Sequence, residues 1–173
     1  MDLKNANTSE LVEYIGEIFS ELKRRKALGR SRLRPLPSGF IRDLSVSVAI
    51  EKYAQNQNFP ELHRVDKDIK GLFAINSHGE RYSICTIYGN RKRLSSGVRM
   101  NDSNESDGKE AVKRFEKLVV CKFDDNCQLE SICEFDWEYF LSHSKKSSVN
   151  SRYRRFELTK EDILQAKVIY KKI

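Results

Sequence analysis

The stretch Leu72-Phe73-Ala74-Ile75-Asn76-Ser77-His78-Gly79-Glu80-Arg81-Tyr82-Ser83-Ile84-Cys85-Thr86-Ile87-Tyr88 decides how the chain is read. Asn76-Ser77-His78-Gly79 concentrates turn-forming residues, which tolerate bent or left-handed backbone. Beyond the turn, Tyr82, Ile84, Thr86 and Tyr88 recur at every second position, the period of a strand. The pattern predicts a β-hairpin, with one strand over 72–75 and its return over 81–88.

Upstream the period is helical. Leu11, Ile15, Ile18, Phe19 and Leu22 predict a helix over 9–28, capped by Asn7 or Thr8, with Glu10 and Glu13 near its positive end and Gly29 as its stop. Pro35 and Pro37 disfavour helix in the connector that follows. Ser38 then opens a second helix to about 55, with Ile41, Leu44, Val48 and Ala49 inward. A short strand is expected over 62–65.

Downstream, 89–110 is polar, with a loop over 101–109. The apolar run 115–123 predicts a strand, Asp124-Asp125-Asn126 a turn, and 128–135 its return. Asp136 is expected to cap a short helix over 137–143, on which Trp137 and Phe140 pack. An edge strand is expected within 153–158. Thr159 caps a last helix running through 172, with Ile163, Leu164, Ala166 and Val168 inside. The whole is one α+β domain over 1–173, a mixed central β-sheet flanked by helices: an N-terminal helix 9–28, a core over about 38–143 and a C-terminal helix 159–172.

Composition narrows the class. Hydrophobic residues make up 39% of the 173, enough for one core, and they come in periodic blocks. No apolar run approaches the ~20 residues of a membrane span, and Met1–Glu10 lacks the apolar centre of a signal peptide. The expectation is a cytoplasmic protein without a membrane partner. Cys85, Cys121, Cys127 and Cys133 then read as free thiols. The even spacing of the last three leaves a zinc site open, but no Cys-x-x-Cys pair supports it, and small hydrophobes in strands are the plainer account. His63, His78 and His143 have no spacing partner for a triad or a metal box.

Three segments together resemble the small restriction-endonuclease-like proteins of the PD-(D/E)XK superfamily. These are the basic turn from Lys23 to Lys26 leading through a Pro-containing linker to a helix with Gly39 and Asp43, the hairpin with Gly79 and Arg81-Tyr82-Ser83-Ile84-Cys85, and Phe115-Glu116-Lys117-Leu118-Val119-Val120-Cys121-Lys122-Phe123-Asp124-Asp125. The resemblance implies a restriction-endonuclease-like core over roughly 10–140. It also implies where Mg²⁺ chemistry would sit. In the family a first metal carboxylate maps to Phe73, a second ligand to Ser83, a lysine beside the scissile phosphate to Cys85, and a helical acid to Asp43.

Only Asp43 keeps the required chemistry. Phe73 has no side-chain oxygen, Ser83 is a weak neutral ligand, and Cys85 supplies no fixed positive charge, whereas Mg²⁺ demands hard oxygen donors. Asp68 and Glu80 are the nearest substitutes for a relocated site. The expectation is therefore a degenerate nuclease with no metal and no cofactor, Mg²⁺ returning only if the active-nuclease alternative holds.

The net charge is +7, carried in runs. One is Lys23, Arg24, Arg25, Lys26, Arg30, Arg32 and Arg34, with no acid between Leu22 and Ile41. A second is Arg91, Lys92, Arg93 and Arg99. A third is Lys145, Lys146, Arg152, Arg154 and Arg155, with Tyr153 and Phe156 interleaved. A solvated face is the plain account of any one run; three runs on a nuclease-like scaffold point to the phosphate backbone of nucleic acid, DNA being expected, with Lys23, Arg24, Arg25, Arg30, Arg91, Lys92, Arg93, Arg152, Arg154 and Arg155 as its contacts. Acids gather instead on the second hairpin at Asp124, Asp125, Glu130, Glu134, Asp136 and Glu138, an exposed surface or a face for a basic partner. The expected function is a catalytically degenerate nuclease-like domain that binds nucleic acid, within a restriction, defence or mobile-element system. Its alternatives are a protein-interaction or homodimerisation module and an active Mg²⁺-dependent endonuclease with a relocated site.

Overall fold

The computed structural model describes residues 5–27, 38–65, 71–90, 94, 98–99, 113–147 and 153–172. Four helices, α1 (Thr8–Ala27), α2 (Ser38–Gln55), α3 (Trp137–His143) and α4 (Lys160–Gln165), surround two sheets. The strands are β1 (Leu62–Arg64), β2 (Ala74–Asn76), β3 (Arg81–Tyr88), β4 (Val98–Arg99), β5 (Lys117–Phe123), β6 (Leu129–Asp136), β7 (Lys145–Lys146), β8 (Tyr153–Arg155) and β9 (Lys167–Lys171). The central sheet has the order β1-β2-β3-β5-β6-β9, and β4-β8-β7 form a small separate sheet. Among the described residues only β3 and β5 run parallel; every other neighbouring pair is antiparallel. Among the described residues no helix is long and apolar enough to cross a membrane.

The central strands β3 and β5 are buried on both faces, which is why their sequences are near-continuous apolar runs. Alternation then divides the interior in two. Tyr82, Ile84, Val119, Cys121 and Ile132 face α2, where Val48, Ala49 and Tyr53 meet them and Val12 of α1 joins. Cys85, Ile87, Leu118, Val120, Cys133 and Phe135 face the other way, against Trp137 and Phe140 of α3 and against Val98 and Phe156 of the small-sheet region. Ser45 lies within the first interface, and its hydroxyl is satisfied by the Ile41 carbonyl and by Thr86 Oγ1, both at 2.7 Å.

Helix α1 is capped by Asn7 rather than Thr8. Asn7 Oδ1 accepts from the Glu10 amide at 2.9 Å, and Glu10 Oε2 accepts from the Asn7 amide at 2.8 Å. Ser9 donates to Glu51 Oε1 at 2.8 Å, tying α1 to α2. Gly16 is a helical glycine with a packing reason: a Cβ there would meet Gln128 Cγ at 2.7 Å and the Asn126 carbonyl at 3.2 Å. The expected stop at Gly29 lies outside the described residues.

Two expectations need correction. The C-terminal helix does not reach 172. It stops at Gln165, and Lys167–Lys171 becomes β9, the edge strand beside β6. Thr159 does cap the helix as expected, and it does so through a capping box with Asp162. Beyond Ala166, however, Val168-Ile169-Tyr170 is a β-branched and aromatic run with the open side of β6 to pair with. Ile169 is therefore buried, whereas Leu164 and Val168, expected inside, are 82% and 41% exposed. Asp136 stands at the start of α3 without a side-chain cap; its carboxylate takes Lys117 instead.

Candidate nucleic-acid interface

The hairpin β2–β3 is built around Asn76. Its Oδ1 accepts from the amides of His78 and Glu80, each at 3.0 Å, and its Nδ2 donates to Glu80 Oε2 at 2.7 Å. At the start of β3, Arg81 grips Glu116 with two guanidinium contacts of 2.9 and 3.1 Å, while Glu116 also accepts the Arg81 amide at 2.8 Å. The Arg81 guanidinium holds the Glu116 carboxyl below its usual range. Arg81, in the part of the hairpin most specific to the resemblance, thus closes β3 onto the approach to β5.

Of the four positions that the resemblance assigns to a metal site, only Ser83 and Cys85 meet: they are two residues apart on one face of β3 and their side chains are hydrogen-bonded. Phe73 packs on the α2 side of the sheet. Ser83 is buried, and Cys85 belongs to the opposite core. Asp43 is on α2, half exposed, 3.7 Å from Arg64 of β1. Burial raises the Cys85 thiol to about 12, so it rests as the neutral thiol at neutral pH. These residues do not fit Mg²⁺: one carboxylate stands alone on one face, and the others offer no charged oxygen.

Of the substitutes, Glu80 is engaged by Asn76 and, at 3.4 Å, by the Tyr82 hydroxyl; Asp68 lies outside the described residues. Among the described residues no group of three or more His, Cys, Asp or Glu is placed to hold a metal ion. Cys121 and Cys133 face opposite cores, and Cys127 sits in the β5–β6 turn with φ 62°.

The acids of the second hairpin are engaged within the molecule. Buried Glu134 accepts from the Tyr53 hydroxyl at 2.6 Å and lies 3.8 Å from Lys117 and 3.7 Å from Lys167. Lys117 also pairs with Asp136, Lys122 with Glu130, and Lys113 with Glu138 at 3.6 Å. Asp124 Oδ1 accepts from the amides of Asn126 and Gln128 in the turn. Burial would lower the Lys117 ammonium, but Asp136 and Glu134 outweigh it and raise it. This network ties α2, β5, β6 and β9 together. Neither Tyr53 nor Lys117 was singled out in the sequence, because their partners come from other strands.

The basic runs fare differently from one another. Arg24 and Arg25 both bind Glu21, at 2.7 and 2.8 Å, and hold its carboxyl at about 2. The run that looked free of acid from Leu22 onward is partly neutralised by the residue just before it. Nothing is described of the Lys23 side chain, and Arg30, Arg91, Lys92, Arg93 and Arg152 lie outside the described residues.

The third run, with Arg99 of the second, forms the small sheet. Lys145 stands opposite Arg155, Lys146 opposite Arg154, Arg154 opposite Val98, and Tyr153 opposite Arg99. Lys145, Lys146 and Arg155 are exposed and Tyr153 is half-buried. Two expected members are structural instead. Arg154 turns inward, donating to Ser144 Oγ at 2.7 Å and to the carbonyls of Ser144 at 2.6 Å and Leu141 at 3.1 Å. It therefore caps the C-terminal end of α3, where a cation is favoured. Phe156 is fully buried, against Phe135 and Phe140. Lys145, Arg155 and Tyr153 share the face opposite to that of Arg154 and Val98, while Lys146 is exposed beside Arg154. Helix α1 packs on the other side of the central sheet, since Val12 and Phe156 belong to opposite cores.

Comparison with known proteins finds no matching family model and no similar curated protein.

Proposed function

We propose that the chain is a nuclease-like domain without the nuclease's metal chemistry, and that it binds the sugar-phosphate backbone of nucleic acid through the β4-β8-β7 sheet. The observation that carries this is the register of that sheet: β8 sets Arg99 of one basic run opposite Tyr153 and Lys145 of another opposite Arg155, so these positions share one face. Exposed Lys and Arg on a shallow surface supply the sequence-independent part of nucleic-acid affinity. The nuclease-like half rests on element order: a helix, a hairpin, a strand, a turn, a further strand and a short helix follow one another, the order in which the resemblance lies. The non-catalytic half rests on Ser83 and Cys85 being buried and on Phe73 packing against the core.

Fluorescence anisotropy with labelled oligonucleotides across a salt series tests the reading. The wild type is expected to bind at low salt and to weaken as salt rises. Lys145→Ala, Lys146→Ala and Arg155→Ala together are expected to lower the slope of log affinity against log salt by about 2 to 3, near one per lost phosphate contact. No binding at low salt, or a triple variant with an unchanged slope, overturns it.

A further inference from the structure

We infer that the ligand of the small sheet is a single strand, one of whose bases stacks on Tyr153 while Lys145 and Arg155 take the flanking phosphates; this rests on the nucleic-acid reading above and specifies it. Along β8, Tyr153 and Arg155 are two residues apart and so share a face. Lys145 stands opposite Arg155 in the ladder, and Arg99 occupies the position opposite Tyr153. An aromatic thus lies among cationic positions on both neighbouring strands.

The aromatics beneath it are committed to one another: Phe135, Phe140 and Phe156 make ring contacts within 6.0 Å, and Phe135 stacks on Tyr139 at 5.4 Å. Among the described residues Tyr153 has no ring partner, and it is only half-buried, although the core is next to it in the chain. In a duplex the bases are stacked on one another and offer no face to such a ring. An unpaired base does, whatever its identity, while the strand's phosphates meet the surrounding cations. The platform is also small. Three strands of two or three residues span roughly 10 Å in each direction, which suits a few nucleotides of one strand better than the two backbones bordering a groove about 12 Å wide.

The test compares labelled oligothymidine and oligouridine with a duplex of equal length. Both single strands are expected to bind wild type more tightly than the duplex does. Tyr153→Leu, which keeps an apolar side chain but removes the π face, is expected to weaken single-strand binding about tenfold and leave duplex binding unchanged, with Tyr153→Phe restoring it. On the wild-type protein, photo-cross-linking of oligothymidine is expected to label Tyr153. Equal affinity for duplex and single strand with Tyr153→Leu indifferent, or cross-links that avoid β8, overturns the single-strand inference and leaves the nucleic-acid reading standing. Failure of every probe to bind at low salt overturns both.

Discussion

The β2–β3 hairpin and the β7–β8 hairpin differ in what they do with their polar positions. In the first, the places where a nuclease would hold a metal and a lysine are closed: Ser83 and Cys85 are buried in the sheet, and Phe73 packs on its other side. In the second, strands of two and three residues are dominated by cations, one of them, Arg154, locked inward and the others left outside. A strand in the middle of a sheet is packed on both faces and has no room for solvated charge. A short strand on the periphery has one face to give to a partner. The contrast teaches that the resemblance and the exposed charge point to two separate places in the molecule.

The largest effect should come from forcing the first region to resemble a nuclease. Ser83→Glu with Cys85→Lys buries two charges, and buried charges without an established network cost several kcal/mol, roughly 3 to 5, against a typical total stability of about 5 to 15. Urea denaturation is expected to show a severely destabilised or unfolded variant. A folded variant that nicks plasmid with Mg²⁺ would erase the contrast between the two regions.

A smaller effect should split the second region itself. Arg154→Ala removes three charged hydrogen bonds to Ser144 and Leu141 and is expected to destabilise by about 2 kcal/mol. Arg155→Ala, one residue away and exposed, should change stability by no more than about 0.5 kcal/mol while weakening nucleic-acid binding. Thermal denaturation alongside salt-dependent anisotropy measures both. Equal thermal losses would mean that the two arginines are not divided between scaffold and surface.

The smallest effect concerns pH at the first hairpin. Arg81 holds the Glu116 carboxyl below its usual range, so the folded state favours the charged form. That contribution is fully present above the unfolded carboxylate pKa of about 4.3 and is lost as pH falls through the lower folded value. Both side chains are partly exposed, at 39% and 27%, so solvent screening limits the pair to about 1 kcal/mol or less. Glu116→Gln is expected to flatten the acid arm of the stability curve below about pH 4 by that amount. An unchanged acid arm would show that Arg81 is not what closes the hairpin.

Much of the fold was legible because local patterns were strong. The strand over 81–88 and the helix over 137–143 coincide with β3 and α3, where alternation and a helical aromatic pair are unambiguous. The C-terminal segment was misread because Ile163, Leu164, Ala166 and Val168 satisfy a helical period. What decided it was the unpaired side of β6, more than thirty residues away in sequence. The site was legible only in part. That Phe73, Ser83 and Cys85 offer no carboxylate and no amine shows in the residues themselves. That Glu21 would pair with Arg24 and Arg25, or that Arg154 would cap α3 beside exposed Arg155, depends on side-chain contacts that a run of charges does not reveal.

By itself, then, the sequence determined the α+β composition, the central hairpins and the lack of metal-binding groups at Phe73 and Cys85, because periodicity and functional groups are local properties. Only the tertiary structure decided which cations share a surface. Arg99 and Lys145 are brought into one small sheet by backbone hydrogen bonding through β8, and pairing between distant strands is set by the whole packed core rather than by either segment alone.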